Sequence, residues 1–350
     1  MKPHAWLWPL SVPYGATVGV RNRLYDLGIL PVHRVEAPVI SVGNIAVGGT
    51  GKTPFVIHLA GRINQLTGNR RIKLGIISRG YKGRSHETLL VSDGKRILSD
   101  CFTAGDEPVL IAQAHTGAAV VVDRNRVRGA RHSTLNLRAR LLLLDDGFQH
   151  RRLHRDLDIV LLDAENPLGN RLVLPAGYLR EPVKALKRAD LVVLSKAAGD
   201  AGDLADRVAK LETLLGKPVI ATRLAPRFWR RIDQAEIHAP DEIAGKKVTA
   251  FAGLARPESF FSTVQGLKGD LVMKLPMPDH CSYTKRHLDH VSTNFIRSRS
   301  EWLVTTAKDA LKLPPLMRFL PLFYLETDNE VVVGSERLDR MLEDIIKRIE

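Results

Sequence analysis

The stretch Ala46-Val-Gly-Gly-Thr-Gly-Lys-Thr53 constrains the fold of this chain more than any other. An apolar, β-branched run, Val39–Val42, comes before it, and a segment with helical periodicity starts at Pro54. Three glycines, Gly48, Gly49 and Gly51, allow the backbone to curl until successive N–H groups point inward. The helix that follows adds the positive end of its dipole. Such a concavity takes phosphate oxygens. Lys52 supplies a point charge for the β- and γ-phosphates of a nucleotide, and Thr53 a hydroxyl suited to Mg²⁺. The string is a Walker A loop with Ala46 where the first glycine usually stands. Ala46, Val47, Gly48, Gly49, Thr50, Gly51, Lys52 and Thr53 are therefore the residues expected to bind a nucleoside triphosphate.

Short, almost continuously apolar runs alternate with helical stretches along the chain. They are Val39–Val42, Leu74–Ser78, Ala119–Val122, Leu141–Leu144, Ile159–Leu162 and Leu191–Leu194. Strands buried on both faces read this way, so the expected fold is α/β: a P-loop NTPase-type, mostly parallel sheet with helices on both faces. The pattern turns irregular and polar over Leu224–Gly245. It then resumes with Val248–Phe251, Leu271–Lys274, Trp302–Thr305 and Leu322–Leu325. The expected division is a membrane-interfacial segment over residues 1–30, a nucleotide-binding domain over 31–225 and a smaller α/β domain over 226–350. The last of these ends in a helix with Leu338, Met341, Leu342, Ile345 and Ile349 on one face and Ser335 as its cap.

The formal net charge of +14 favours polyanionic partners. Arginines cluster at Arg124, Arg126, Arg128 and Arg131, at Arg151, Arg152 and Arg155, and at Arg227, Arg230 and Arg231. No nucleic-acid-binding motif accompanies them, so nucleic acid is not an expected partner. Two distant cysteines, Cys101 and Cys281, form no disulfide framework and no four-ligand zinc pattern. The segment Ala5–Val20 is apolar and rich in Trp and Tyr, but too short and too interrupted by Pro9 and Pro13 to span a bilayer. A helical stretch follows, with Ala16, Val20, Leu24 and Leu27 on one face and arginines off it. Aromatic residues beside arginine suit a helix lying in a membrane interface, next to anionic lipids.

The run Leu141–Leu144 leads into Asp145-Asp146-Gly147, which places acids at a strand's carboxyl end, where a P-loop protein holds its metal; either acid suits Mg²⁺. Where a guanine-specific protein carries Asn-Lys-x-Asp, this chain has Ser195-Lys196-Ala197-Ala198. Asp106 and Glu107 open a helical stretch, where they can cap it or take a proton from an acceptor hydroxyl. In Asp279-His280-Cys281, followed by His287, Asp289 and His290, an Asp–His pair suits a base or its orienting partner as well as a metal. His150 and His154 read as loop residues, and Leu174–Pro182 as a rigid turn around Arg180 and Glu181.

Several of these strings together resemble the tetraacyldisaccharide 4′-kinases, the lipid A 4′-kinases of Gram-negative bacteria. They are Ser41–Pro54, Ser78-Arg-Gly-Tyr81, Gly105-Asp-Glu-Pro108, Leu144-Asp-Asp-Gly-Phe-Gln-His150, Leu174-Pro-Ala-Gly-Tyr-Leu-Arg-Glu-Pro182, Pro278-Asp-His280 and Thr305-Thr-Ala-Lys-Asp309, in the family's order over about residues 10–330. The resemblance implies transfer of the ATP γ-phosphate, with Mg²⁺, to the 4′-hydroxyl of a tetraacyldisaccharide 1-phosphate. The product is lipid IVA, made at the cytoplasmic face of the inner membrane without an obligate protein partner. It implies a smaller domain closing over the active cleft. It also implies Asp106 as base, His280 as its assistant, and Glu107, Arg180 and Glu181 in the cleft. Cys281 and Ala307 depart from the family pattern, which often has His and Glu there, and carry no assigned role. The competing class is a P-loop GTPase or ATPase switch, or a metallochaperone, acting on a protein partner.

Overall fold

The structure, a computed structural model, describes residues 5–68, 72–81, 83–85, 87–233 and 236–349, so the first four residues of the expected interfacial segment lie outside it. Two compact units divide the chain: Met1–Leu224 with Asn329–Glu350, and Ala225–Asp328.

The first unit contains α1 (Trp8–Asp26), β1 (Val39–Asn44), α2 (Lys52–Thr67), β2 (Leu74–Ser78), β3 (Leu89–Asp93), α3 (Cys101–Ala104), α4 (Asp106–Ala114), β4 (Ala119–Val122), α5 (Arg126–Leu135), β5 (Leu141–Asp145), β6 (Leu157–Asp163), β7 (Leu191–Ser195), α6 (Ala201–Leu215) and the start of β8 (Val219–Arg231). The second holds the rest of β8, β9 (Ile237–His238), β10 (Lys247–Ala252), α7 (Glu258–Gly266), β11 (Asp270–Pro276), α8 (Lys285–Ser298), β12 (Trp302–Thr306), α9 (Ala307–Ala310) and most of β13 (Leu322–Val333). The end of β13 and α10 (Ser335–Lys347) return to the first unit.

In the first unit the strand order is β8-β7-β6-β1-β5-β2-β4-β3, parallel throughout except for β3 on β4. Parallel strands bring their carboxyl ends to one edge. There Asn44, Ser78, Asp145, Asp163 and Ser195 close their strands, beside β1 at the centre. Every residue of β5 is buried, because successive side chains enter opposite faces and both faces are covered. Leu142 and Leu144 pack with Val127 and Ala130 of α5. Phe55, Val56, Leu59, Ala60 and Ile63, at helical spacing, bury one side of α2. In the second unit β11-β10-β12-β13 form a parallel sheet whose core includes Trp229, Phe261, Trp302 and Phe323.

Four expectations are corrected. Residues 329–350 belong to the first unit and not to the smaller domain, because α10 packs on α2, where Asp339 pairs with Arg62 at 2.5 Å. Gly334, in the left-handed conformation, is the N-cap of α10 in place of Ser335. The first part of the stretch after Leu224 is not irregular: β8 runs on to Arg231, and Trp229 is fully buried by tertiary packing that local periodicity does not record. The N-terminal helix starts at Trp8, so the prolines interrupt less than they suggest. Pro9 sits in the first turn, where an N–H has no helical partner anyway, and Pro13 costs one hydrogen bond.

The arginine clusters are also less available to polyanions than the sequence suggests. Arg227, Arg230 and Arg231 pair with Asp328, Glu326 and Glu236, while Arg128, Arg151 and Arg155 pair with Asp123, Asp26 and Asp158. No helix among the described residues is long and apolar enough to cross a membrane.

Candidate active site

β1 delivers the phosphate loop and α2 receives it. Gly48 and Gly51 have positive φ, and Gly51 is the left-handed N-cap residue of α2, whose first residues are Lys52 and Thr53. The loop is braced on both flanks. On one, the Asn44 side-chain amide donates to Thr50 Oγ1 at 2.9 Å, the Ser195 hydroxyl donates to the Thr50 carbonyl at 2.8 Å, and Lys196 Nζ donates to the Gly49 carbonyl. Lys196 also lies 3.5 Å from Asp163. The Ser-Lys pair that fails as a guanine motif is therefore a support for the loop. On the other flank the Leu174–Pro182 segment lies alongside. Val47 N–H donates to the Tyr178 carbonyl at 2.8 Å, and Arg180 N–H to the Ile45 carbonyl at 2.6 Å.

The register of β1 on β5 sets Val42 opposite Asp145, so the acid pair emerges beside the loop. Asp146, with a positive φ of 54°, faces Lys52 at 3.5 Å and Arg180 at 3.0 Å. Burial pushes its carboxyl upward, but Lys52 and Arg180 outweigh burial and hold it at about 2. Asp145 is the opposite case. It is buried, one oxygen accepts from the Ser78 hydroxyl at 2.9 Å, and the other has no partner among the described residues. Burial first, then the carboxylates of Glu107 and Asp146, push its proton affinity up. Behind it the buried Arg126 guanidinium donates to the Asp145 carbonyl at 3.1 Å, and burial draws that guanidinium down to about 10. His150, in the same loop, is pushed down to about 4 by burial and by Arg126, which makes it a neutral imidazole at pH 7.

Asp106 and Glu107 are the first two residues of α4. The N-cap is Gly105, with no side-chain cap, and both acids lie in the first turn, where the positive end of the helix dipole favours negative charge. The position of the turn is set by backbone contact. A Cβ on Gly105 would stand 2.7 Å from the Tyr81 carbonyl, and one on Gly80 would stand 2.9 Å from the Ala104 carbonyl. The Ser78–Tyr81 and Gly105–Pro108 strings are thus two sides of one close approach that only glycine permits.

Glu181 is not an open cleft residue. It is 1% exposed, and its carboxylate accepts from Arg188 at 3.0 Å, Gln149 at 3.1 Å and Asn22 at 2.6 Å. Arg188 in turn lies over the buried Phe148 ring at 4.4 Å. One carboxylate therefore joins the helix α1, the acid-bearing loop and the loop-flanking segment. α1 is tied to that segment twice more, by Ser11 donating to the Val173 carbonyl at 2.9 Å and Tyr14 to the Arg180 carbonyl at 3.0 Å. Glu181→Gln removes the charge facing Arg188, and unfolding by denaturant should show a loss of about 1–3 kcal/mol. Unchanged stability would show that Glu181 does not hold these segments together.

In the second unit His280 follows β11 in the left-handed conformation, φ 59°, and its N–H donates to the Gly253 carbonyl at 3.3 Å. Among the described residues no group of three or more His, Cys, Asp or Glu side chains is arranged to hold a metal ion. Sequence reasoning overlooked Arg126, Gln149, Lys196 and Asn22 as parts of the site. Arg126 was visible only as one arginine of a cluster, and Lys196 only as half of a missing motif.

Comparison with known proteins agrees with this geometry. The family model described as tetraacyldisaccharide-1-P 4′-kinase matches residues 3–347. A tetraacyldisaccharide 4′-kinase of Anaeromyxobacter dehalogenans is 40% identical over 336 residues, covering 95% of this chain and 88% of that protein. One of Geobacter metallireducens is 38% identical, covering 98% of each. The crystal structure of LpxK from Aquifex aeolicus in complex with ATP superposes with a TM-score of 0.79 at 34% identity, covering 97% of this chain and 98% of that one. With a match of this length around an intact phosphate loop and strand-end acid pair, the chain belongs to the tetraacyldisaccharide-1-P 4′-kinase family.

Proposed function

We propose that this chain transfers the γ-phosphate of ATP to the 4′-hydroxyl of a tetraacyldisaccharide 1-phosphate, giving lipid IVA, at the cytoplasmic face of the inner membrane. The observation that carries this reading is the Lys52–Asp146–Arg180 cluster beside a braced phosphate loop, in a chain matched to these kinases over nearly its whole length. Lys52 and the loop N–H groups hold the phosphates. The residues also fit Mg²⁺: Asp145 has a buried oxygen to offer, and Asp146 and Thr53 stand at the same edge. When bound there, the ion would supply neutralisation of charge on the nucleotide phosphates. Asp106 takes the proton of the acceptor hydroxyl, His280 assists it, and Glu107 adds negative charge beside Asp145. Arg180 orients Asp146 from one side as Lys52 does from the other.

The test is transfer of label from γ-labelled ATP to a tetraacyldisaccharide 1-phosphate in detergent micelles with Mg²⁺. Acceptor-dependent labelling supports the reading. ATP turnover that ignores the acceptor and responds to a protein partner would favour the switch or metallochaperone alternative.

The N-terminal helix supports the membrane part of the proposal. Exposed apolar residues include Trp6, just before it, and Trp8, Leu10 and Val12 within it, whereas Ser11, Tyr14 and Asn22 tie it to the protein. Full burial of one such apolar side chain contributes roughly 1.5–3 kcal/mol. Replacing the four exposed residues by serine should therefore lower partition onto anionic vesicles at least about tenfold. Turnover of detergent-dispersed acceptor should stay the same. Vesicle binding equal to wild type would remove the interfacial assignment.

A further inference from the structure

The Thr305–Asp309 string has no role in the chemistry described so far, yet it lies against His280. The Lys308 ammonium stands 3.1 Å from His280 Nε2, and both side chains are largely buried. Asp279 Oδ1 lies 3.8 Å from the same ammonium and 3.9 Å from the same ring nitrogen. We propose that Lys308 is a positioning residue for His280, holding its ring so that Nδ1–H is the group the ring offers. This inference rests on the assistant role assigned to His280 above.

The chemistry follows from the donor inventory. A lysine ammonium carries donors and no acceptor, so in this contact Nε2 accepts and the ring proton resides on Nδ1. His280 then assists as a hydrogen-bond donor through Nδ1–H, to a carboxylate or a phosphate oxygen. The proton of the acceptor hydroxyl remains with the carboxylate proposed as base.

Both partners hang from one residue. Gly253, after β10, accepts from the His280 N–H through its carbonyl, and its own N–H donates to Asp309 Oδ2 at 2.9 Å. Asp309 is fully buried, accepts from the Thr306 hydroxyl at 2.7 Å, and fixes the short turn α9 that presents Lys308. The charge of Asp309 is met by a different lysine, Lys312, at 3.4 Å. Two lysines on one turn thus divide the work: Lys312 compensates the buried anchor, and Lys308 faces the histidine. For that reason Lys308→Met should not unfold the protein.

The experiment compares Lys308→Met, Lys308→Arg, His280→Gln and the Lys308→Met/His280→Gln double variant in acceptor phosphorylation. It adds ring-nitrogen NMR spectra of ¹⁵N-histidine-labelled protein, with His280→Gln identifying the signals. Lys308→Met should lower kcat roughly tenfold while KM for ATP stays within about twofold. The double variant should be no worse than His280→Gln, and Lys308→Arg should restore part of kcat. In the spectra the His280 ring should be protonated at Nδ1 in wild type and shift toward the Nε2-protonated form in Lys308→Met. A full kcat in Lys308→Met alongside a depressed one in His280→Gln would overturn the proposal and leave the role of His280 standing. So would a tautomer that ignores the substitution. A raised KM for ATP with multiplicative losses in the double variant would mean that Lys308 contacts phosphate directly, which also overturns it. A full kcat in His280→Gln would remove the role of His280 itself, and this inference with it.

Discussion

Replacing Lys52 with alanine should lower kcat on the order of 10²–10³-fold and move Tm by no more than a few degrees. Phosphoryl transfer needs little covalent help; it needs the phosphates placed and their charge met. Lys52 opens α2, with its Nζ 3.5 Å from Asp146 and most of its side chain covered. Removing it deletes the one cation carried by the phosphate loop. The fold should tolerate the loss, because Asp146 keeps Arg180 at 3.0 Å and is not left as an unpaired buried charge. Turnover within tenfold of wild type would show that the loop does not act on the transferred phosphate. A large drop in Tm without nucleotide would show that Lys52 is structural. Lys52→Arg keeps the charge but not the compact ammonium, and should recover little.

The second large effect concerns Asp106 and His280. Asp106→Ala and His280→Ala should each lower kcat roughly 10²-fold or more, the scale of general acid–base help, with little change in ATP affinity. Lys52 and the arginines near Asp146 can meet negative charge, but they cannot receive a hydroxyl proton. The first turn of α4 can, since it carries two carboxylates, Asp106 and Glu107. The double variant should be only slightly worse than the worse single one, because groups that act as a unit are not additive. Fully multiplicative losses would show that the two act independently, and the paired mechanism would have to be abandoned. Asp106→Asn adds a check on charge: it preserves shape and should be as impaired as alanine if the carboxylate is the proton acceptor.

The sequence by itself determined the parts of this protein that are local. The phosphate loop is legible because strand, glycine turn, lysine and helix are contiguous, and each needs only its neighbours to take its shape. The central strands are legible for a related reason: β1, β5, β6 and β7 are covered on both faces, so burial writes a nearly continuous apolar run into them. The Asp145–Asp146 pair could be found because it closes such a strand. Tertiary structure alone decided which distant groups meet. Glu181 gathers partners from Asn22, Gln149 and Arg188, and no spacing rule joins those positions. β8 was hidden because Trp229 owes its burial to packing with Phe323 and Trp302, while its neighbours carry charge that β13 and the Glu236 turn answer. The return of α10 to the first unit was hidden because an apolar helix face specifies that it will be covered, and not by what. Periodicity records how much of a residue is buried; the identity of the partner is a property of the folded chain.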